Sequence, residues 1–186
     1  MKYKKLWTDM HSNIHHDQME ALPLWYEQIK KEMDFWPIAY YPFYMRPTSS
    51  GLAVEDRYED ELIEKDWEQV RQLALQAEKE GFPMFMGYEW QGAGLDGDHN
   101  VFFLENGEKQ EHPMRYQELV EAYKGKPVIG IPHHVAYQLG SRGKNWETHD
   151  EKFSPFAEIY SSHGCSENDD GPLMMNRHVH MGPRTG

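Results

Sequence analysis

The sequence predicts an α/β fold of mainly parallel βα units, closed into a distorted or incomplete barrel. Two observations carry that expectation. The first is a set of short apolar runs. Val128 to Ile131, within Lys126-Pro-Val-Ile-Gly-Ile-Pro-His133-His134, is too short for a helix and is bounded by turn residues, as a buried parallel strand is. The second is that stretches with apolar residues three or four positions apart lie between these runs. Strands alternating with helices point to a parallel sheet or a barrel. The chain offers fewer than eight clean units, hence an incomplete one.

Taken in order, Leu6 to His11 reads as a first strand and Ser12 to Asp17 as a polar turn. Residues 20–33 form a helix with Leu22, Tyr26, Ile29 and Met33 on one face and Pro23 in its first turn. Phe35 to Tyr41 is a second strand. Residues 42–56, with two prolines and Ser-Ser-Gly, form a long loop of the kind that makes a lid or rim. Residues 58–79 are the longest helix, with Ile63, Trp67, Val70, Ala74 and Ala77 inward and Gly81 as its stop. Met84 to Glu89 is a third strand and His99 to Leu104 a fourth. Tyr116 to Tyr123 is a short helix, followed by the strand at Pro127 to Ile131. Residues 138–154 are loop, Phe156 to Tyr160 a last strand, and the final twenty residues polar, Met-rich loop.

Composition bounds the function. A chain of 186 residues, 39% hydrophobic and 27% charged, suits one globular domain over 1–186. A net charge of −12 repels phosphate backbones, so nucleic acid is not an expected partner. No run approaches the roughly 18 apolar residues of a membrane span, and the N-terminus lacks the apolar stretch of a signal peptide. The single cysteine, Cys165, excludes an internal disulfide and fits a reducing, cytoplasmic setting.

The chemistry lies at the ends of the strands, where α/β folds collect ligands and catalytic groups. Asp9, His11, His16, Glu89, His99, His133, His134, Glu158 and His163 all fall there, from at least five segments. One strand-end histidine is more often structural than a ligand. The recurrence is what argues for a site. Imidazoles mixed with carboxylates suit Zn, Mn or Fe better than Ca or Mg, and could hold two ions. Neighbours on a strand point to opposite faces, so one of His133 and His134 is expected to face the site, and likewise one of His15 and His16. Cys165 with His163 two residues away offers a thiol reading, but no third, orienting group is identifiable.

These motifs resemble those of the PHP (polymerase and histidinol phosphatase) metal-dependent hydrolases. Asp9-Met-His11 resembles the opening Asp-x-His motif, and Gly87-Tyr-Glu89 the metal-bridging Glu motif. Gly97-Asp-His99 resembles the His motif that follows, Ile131-Pro-His133 the Ala-His-Pro strand, and Ala157-Glu158-Ile-Tyr160 the later Glu strand. The resemblance implies a (β/α)7 TIM-like barrel and up to three divalent ions (Zn, Mn or Fe). It also implies hydrolysis of a small phosphoester by a metal-activated water. The metal ligands expected are His11, His16, Glu89, His99, His133 and Glu158, with His163 and Asp9 in catalytic roles and no organic cofactor. Asn13 stands where the family has a second His, Tyr40-Tyr41-Pro42 where it has Asp-His, and its late Asp-x-His motif is absent before Gly186. The closing strands are therefore expected to be missing, and an unfilled barrel edge would favour a homo-oligomer. The alternative expectation is a non-catalytic, degenerate metal-binding fragment acting structurally or through a partner.

Overall fold

The structure, a computed structural model, describes residues 3–49, 53–92, 94–105, 107–140 and 142–167. It divides into two units, Met1–Tyr88 and Glu89–Gly186. The final residues, expected to be loop, lie almost wholly outside the described residues.

In the first unit the opening strand comes later than the sequence predicts. Leu6 and Trp7 are exposed and join no sheet. Instead the Trp7 amide donates to the Asp34 carboxylate (2.9 Å) and the Thr8 hydroxyl to the Phe35 carbonyl (2.5 Å). These bonds clip the segment onto the loop before the second strand. The first strand, β1 (Ser12–His15), occupies the predicted turn, with Ile14 fully buried. A 3-10 turn (His16–Ala21) leads into α1 (Leu22–Glu32), which carries Pro23 in its first turn as expected. β2 (Trp36–Tyr41) runs parallel to β1, with Ser12 opposite Ile38 and His15 opposite Tyr41.

Residues 42–56 are not an open loop. β3 (Phe43–Pro47) and β4 (Ala53–Arg57) form an antiparallel hairpin, with Phe43 opposite Arg57 and Arg46 ion-paired to Asp56 at 2.6 Å. It is mostly solvent-facing, so its sequence needs no in–out alternation to betray it. α2 (Asp60–Glu80) buries Ile63, Trp67, Val70, Leu73, Ala74 and Ala77, the face its periodicity predicts. It stops at Gly81, whose φ of 75° lies in the left-handed region. One residue on that buried face is not apolar: Asp66. At the far end of α2, Glu80 accepts from Lys30 (2.7 Å) and Tyr26 (2.9 Å) of α1, which ties the two helices together. β5 (Met84–Phe85) and β6 (Gly87–Gln91) both pair in parallel with β2, through Trp36–Met84 and Tyr40–Tyr88.

The second unit begins inside β6, at Glu89. Its strand order is β6, then β7 (Asp98–Phe103), then β8 (Val128–His133), with α3 (Tyr116–Ala122) between the last two in sequence. β7 and β8 are antiparallel, from Phe103 opposite Val128 to Asp98 opposite His133. This overturns the predicted barrel. The expectation took strand–helix–strand for a parallel crossover. Such a crossover must carry the chain back along the whole strand. The chain makes no such crossing here: it re-enters the sheet where β7 ended, and the Leu104 amide donates to the Pro127 carbonyl at 2.8 Å. The fold is mixed α/β, with three α-helices and a mixed sheet among the described residues. No pairing there closes a barrel.

The last predicted strand shrinks to β9 (Tyr160–Ser161), antiparallel to β10 (Gly164–Cys165). Residues 153–158 follow β8 through two backbone bonds, Gly130 N–H to Phe153 (2.8 Å) and Glu158 N–H to Pro132 (3.0 Å). No helix of the described residues is long and apolar enough to cross a membrane.

Candidate metal centre

The antiparallel register of β7 and β8 decides which side chains meet. Directly opposed residues share a face of the sheet. Asp98 is opposite His133, so the two point the same way, and His99, opposite Pro132, points the other way. One ligand atom from each of Asp98, His133 and His134 lies within 4.8 Å of the others. Glu89, on β6, brings Oε1 to 3.8 Å from His133 Nε2. None of the four is more than 4% exposed. Gathering two carboxylates and two imidazoles away from water is costly, which proteins accept mainly where the groups have work to do.

His134 joins the cluster through its backbone. β8 ends at His133, and His134 has φ = 53°, an uncommon value for a residue other than glycine. On a continuing strand the two rings would point to opposite faces. The turn instead stacks them, with centroids 4.4 Å apart and planes 26° from parallel. A non-glycine residue held in this region costs about 1–3 kcal/mol and tends to mark a functional position. His163 follows: its ring lies 3.9 Å from that of His134, and its Nδ1 is 3.1 Å from the Tyr137 hydroxyl. Burial pushes the Tyr137 phenol up to about 12, partly opposed by Arg142, so it is protonated at neutral pH.

The chain after His134 returns to Asp98 at Arg142. The Tyr137 amide donates to the His134 carbonyl (3.0 Å) and the Gly143 amide to the Gln138 carbonyl (3.2 Å). This brings Arg142 Nε to 2.6 Å from Asp98 Oδ2. A carboxylate has two oxygens, so Asp98 can hold Arg142 with one and a metal with the other.

The opposite face of β7 has different chemistry. His99 is fully buried, stacked on Tyr116 (4.8 Å, 27°) with Trp90 at its edge. Burial, reinforced by the Lys144 charge, pushes its pKa well below the usual histidine range, so the ring is neutral. Lys144 places its Nζ 3.5 Å from the centre of the Tyr116 ring and makes no hydrogen bond among the described residues. Asp96 is buried nearby. Burial raises its pKa, but the guanidinium of Arg115 (2.7 Å), the Tyr116 amide (3.0 Å) and Asn145 (3.1 Å) outweigh that and hold the carboxyl below its usual range.

Burial of Lys144 lowers its pKa from 10.5 to about 8, with Asp96 opposing. A folded value below the unfolded one means that the ammonium destabilises the fold. The full cost applies below pH 8 and is recovered as pH rises from 8 to 10.5. Urea unfolding of wild type and Lys144→Met across that range is expected to show wild type gaining on the variant by on the order of 3 kcal/mol, at 1.36 kcal/mol per pKa unit. A constant difference would place Lys144 in water.

Of the residues expected from the sequence, Glu89, His133 and His163 lie in or against the cluster. His99 lies on the other face of its strand. Glu158 is half-buried, and its amide bonds to the Pro132 carbonyl, next to His133. Asp9, His11 and His16 belong to the first unit. There Asp9 accepts from the amide of His11 (2.8 Å), and His16 pairs with Asp66 (2.7 Å). Asp98 and His134 were not among the expected ligands. Asp98 sits beside His99 in the same Gly97-Asp-His motif, and only the strand register distinguishes them.

No family model, no curated protein and no solved structure matches the chain. The resemblance to PHP hydrolases thus rests on the motifs alone.

Proposed function

We propose that the second unit binds a divalent transition metal through Asp98, His133 and His134, and that the protein is a metal-dependent hydrolase of a small phosphoester. The observation that carries this reading is the buried gathering of those three side chains within 4.8 Å. Two imidazoles and one carboxylate suit Zn, Mn or Fe, and three protein ligands leave a coordination position for a reactant.

A metal held there would lower the pKa of a water and polarise a phosphoryl oxygen. The protein's own groups supply the rest. Glu89, 3.8 Å from His133, is placed to accept a proton from an attacking water. His163, tethered at Nδ1 by Tyr137, is placed to protonate a leaving group. Arg142 on Asp98 brings positive charge toward an anionic substrate, offsetting the chain's net −12.

The test is hydrolysis of p-nitrophenyl phosphate by the full chain, stripped by chelator and reloaded with zinc or manganese. Metal-dependent turnover lost in Glu89→Gln supports the reading. Turnover indifferent to both changes would contradict it.

A further inference from the structure

Asp66 is a carboxylate on the apolar face of α2, 1% exposed among Ile63, Trp67 and Val70. Burying an acid there is expensive unless its charge is used or matched. Two groups converge on one of its oxygens, Oδ2: the Tyr40 hydroxyl donates at 2.8 Å, and His16 Nδ1 lies at 2.7 Å. A carboxylate only accepts, so neutral His16 must carry its proton on Nδ1. That leaves the Nε2 lone pair, on a ring whose side chain is 35% exposed. His16 belongs to no group of three ligand-bearing side chains within reach of one ion, among the described residues. The arrangement of a buried carboxylate and an oriented imidazole on a part-exposed side chain is that of a general base.

Beside the ring stand Tyr58, edge-on at 5.2 Å, and Tyr44, stacked on Tyr58 at 4.7 Å. These rings offer a shelf for a planar group. Asp17 and Asp66 bear on Tyr58, and Arg57 opposes Asp66 at Tyr40, so the surroundings carry mixed charge and suit an uncharged ligand.

We propose that His16 is the general base of a second site, in the first unit, acting on an uncharged ring-bearing ester, with Asp66 and Tyr40 as positioning residues. Water gives a proton to His16 Nε2 as its oxygen bonds to the acyl carbon. The bond from that carbon to the aryl oxygen breaks, and the imidazolium returns the proton to the departing aryloxide. Ester and water become acid and phenol.

The experiment uses the full chain in excess EDTA, with p-nitrophenyl acetate as the probe and ring ¹⁵N spectra of His16 as a second readout. The expected wild-type spectrum is the Nδ1–H tautomer. Asp66→Asn is expected to shift the proton to Nε2, and both it and His16→Gln to lower the ester rate by about a hundredfold. An Nε2–H tautomer in wild type, an unchanged rate in His16→Gln, or a His16-dependent rate that appears only with metal would each overturn the proposal. The wild-type spectrum needs no variant, so the test survives if Asp66→Asn does not fold.

Discussion

His133→Ala is expected to lose at least about a hundredfold in zinc affinity, because it removes one of three ligands, whereas changes to residues that only support ligands cost about 10–100-fold. His133 is fully buried, stacked on His134 and 3.8 Å from Glu89. The truncation also leaves a cavity, and large-to-small changes in a core cost about 2–5 kcal/mol. Asp98→Asn keeps the volume and separates the two effects. It should lose metal affinity comparably while unfolding nearer to wild type. Isothermal titration of chelator-stripped protein with zinc reads the first effect, and thermal unfolding without metal reads the second. Zinc binding unchanged in both variants would remove this cluster as the metal centre.

Gly143→Ala is expected to destabilise the second unit by about 3 kcal/mol, at the upper end for an overpacked site. A Cβ at position 143 would lie 1.8 Å from the Tyr137 carbonyl oxygen and 2.6 Å from its carbon. Those atoms are backbone and cannot rotate aside. Relief requires the loop from His134 to Lys144 to open, which withdraws Arg142 from Asp98 and Lys144 from Tyr116. Urea denaturation should show a lower midpoint, and zinc affinity should fall although no ligand has changed. A midpoint within 0.5 kcal/mol of wild type, the range usual for neutral surface changes, would mean that the loop does not pack as described.

Much of the local structure was legible because it depends on local signals. α2 is legible from its period, and Gly81 from its place after the last apolar turn. The strand over Pro127 to Ile131 is legible from a bounded apolar run, and β8 extends it to His133. What escaped depends on pairing. Nothing local distinguishes a parallel from an antiparallel return after Phe103, and that choice decides between barrel and mixed sheet. The same choice sets whether Asp98 or His99 shares a face with His133, so the ligand expectation chose one member of the motif and the register the other. The period of a strand admits only one of His133 and His134 to the site, and that period fails once φ turns positive at His134. Asp66 is not legible as a site residue because six apolar residues share its buried face of α2, and a sequence pattern does not show that Tyr40 and His16 meet there. The hairpin of β3 and β4 escaped because exposed strands need no apolar alternation, and because two prolines bracket the first of them.

The central claim is that Asp98, His133 and His134 form one metal centre. The most direct test is zinc-edge X-ray absorption on chelator-stripped protein reloaded with one equivalent of zinc. The account predicts a nitrogen and oxygen shell at about 2.0–2.2 Å with the multiple-scattering signature of two imidazoles, falling to one in His133→Ala. A shell with no imidazole scattering, or protein that retains no zinc after buffer exchange, would contradict it.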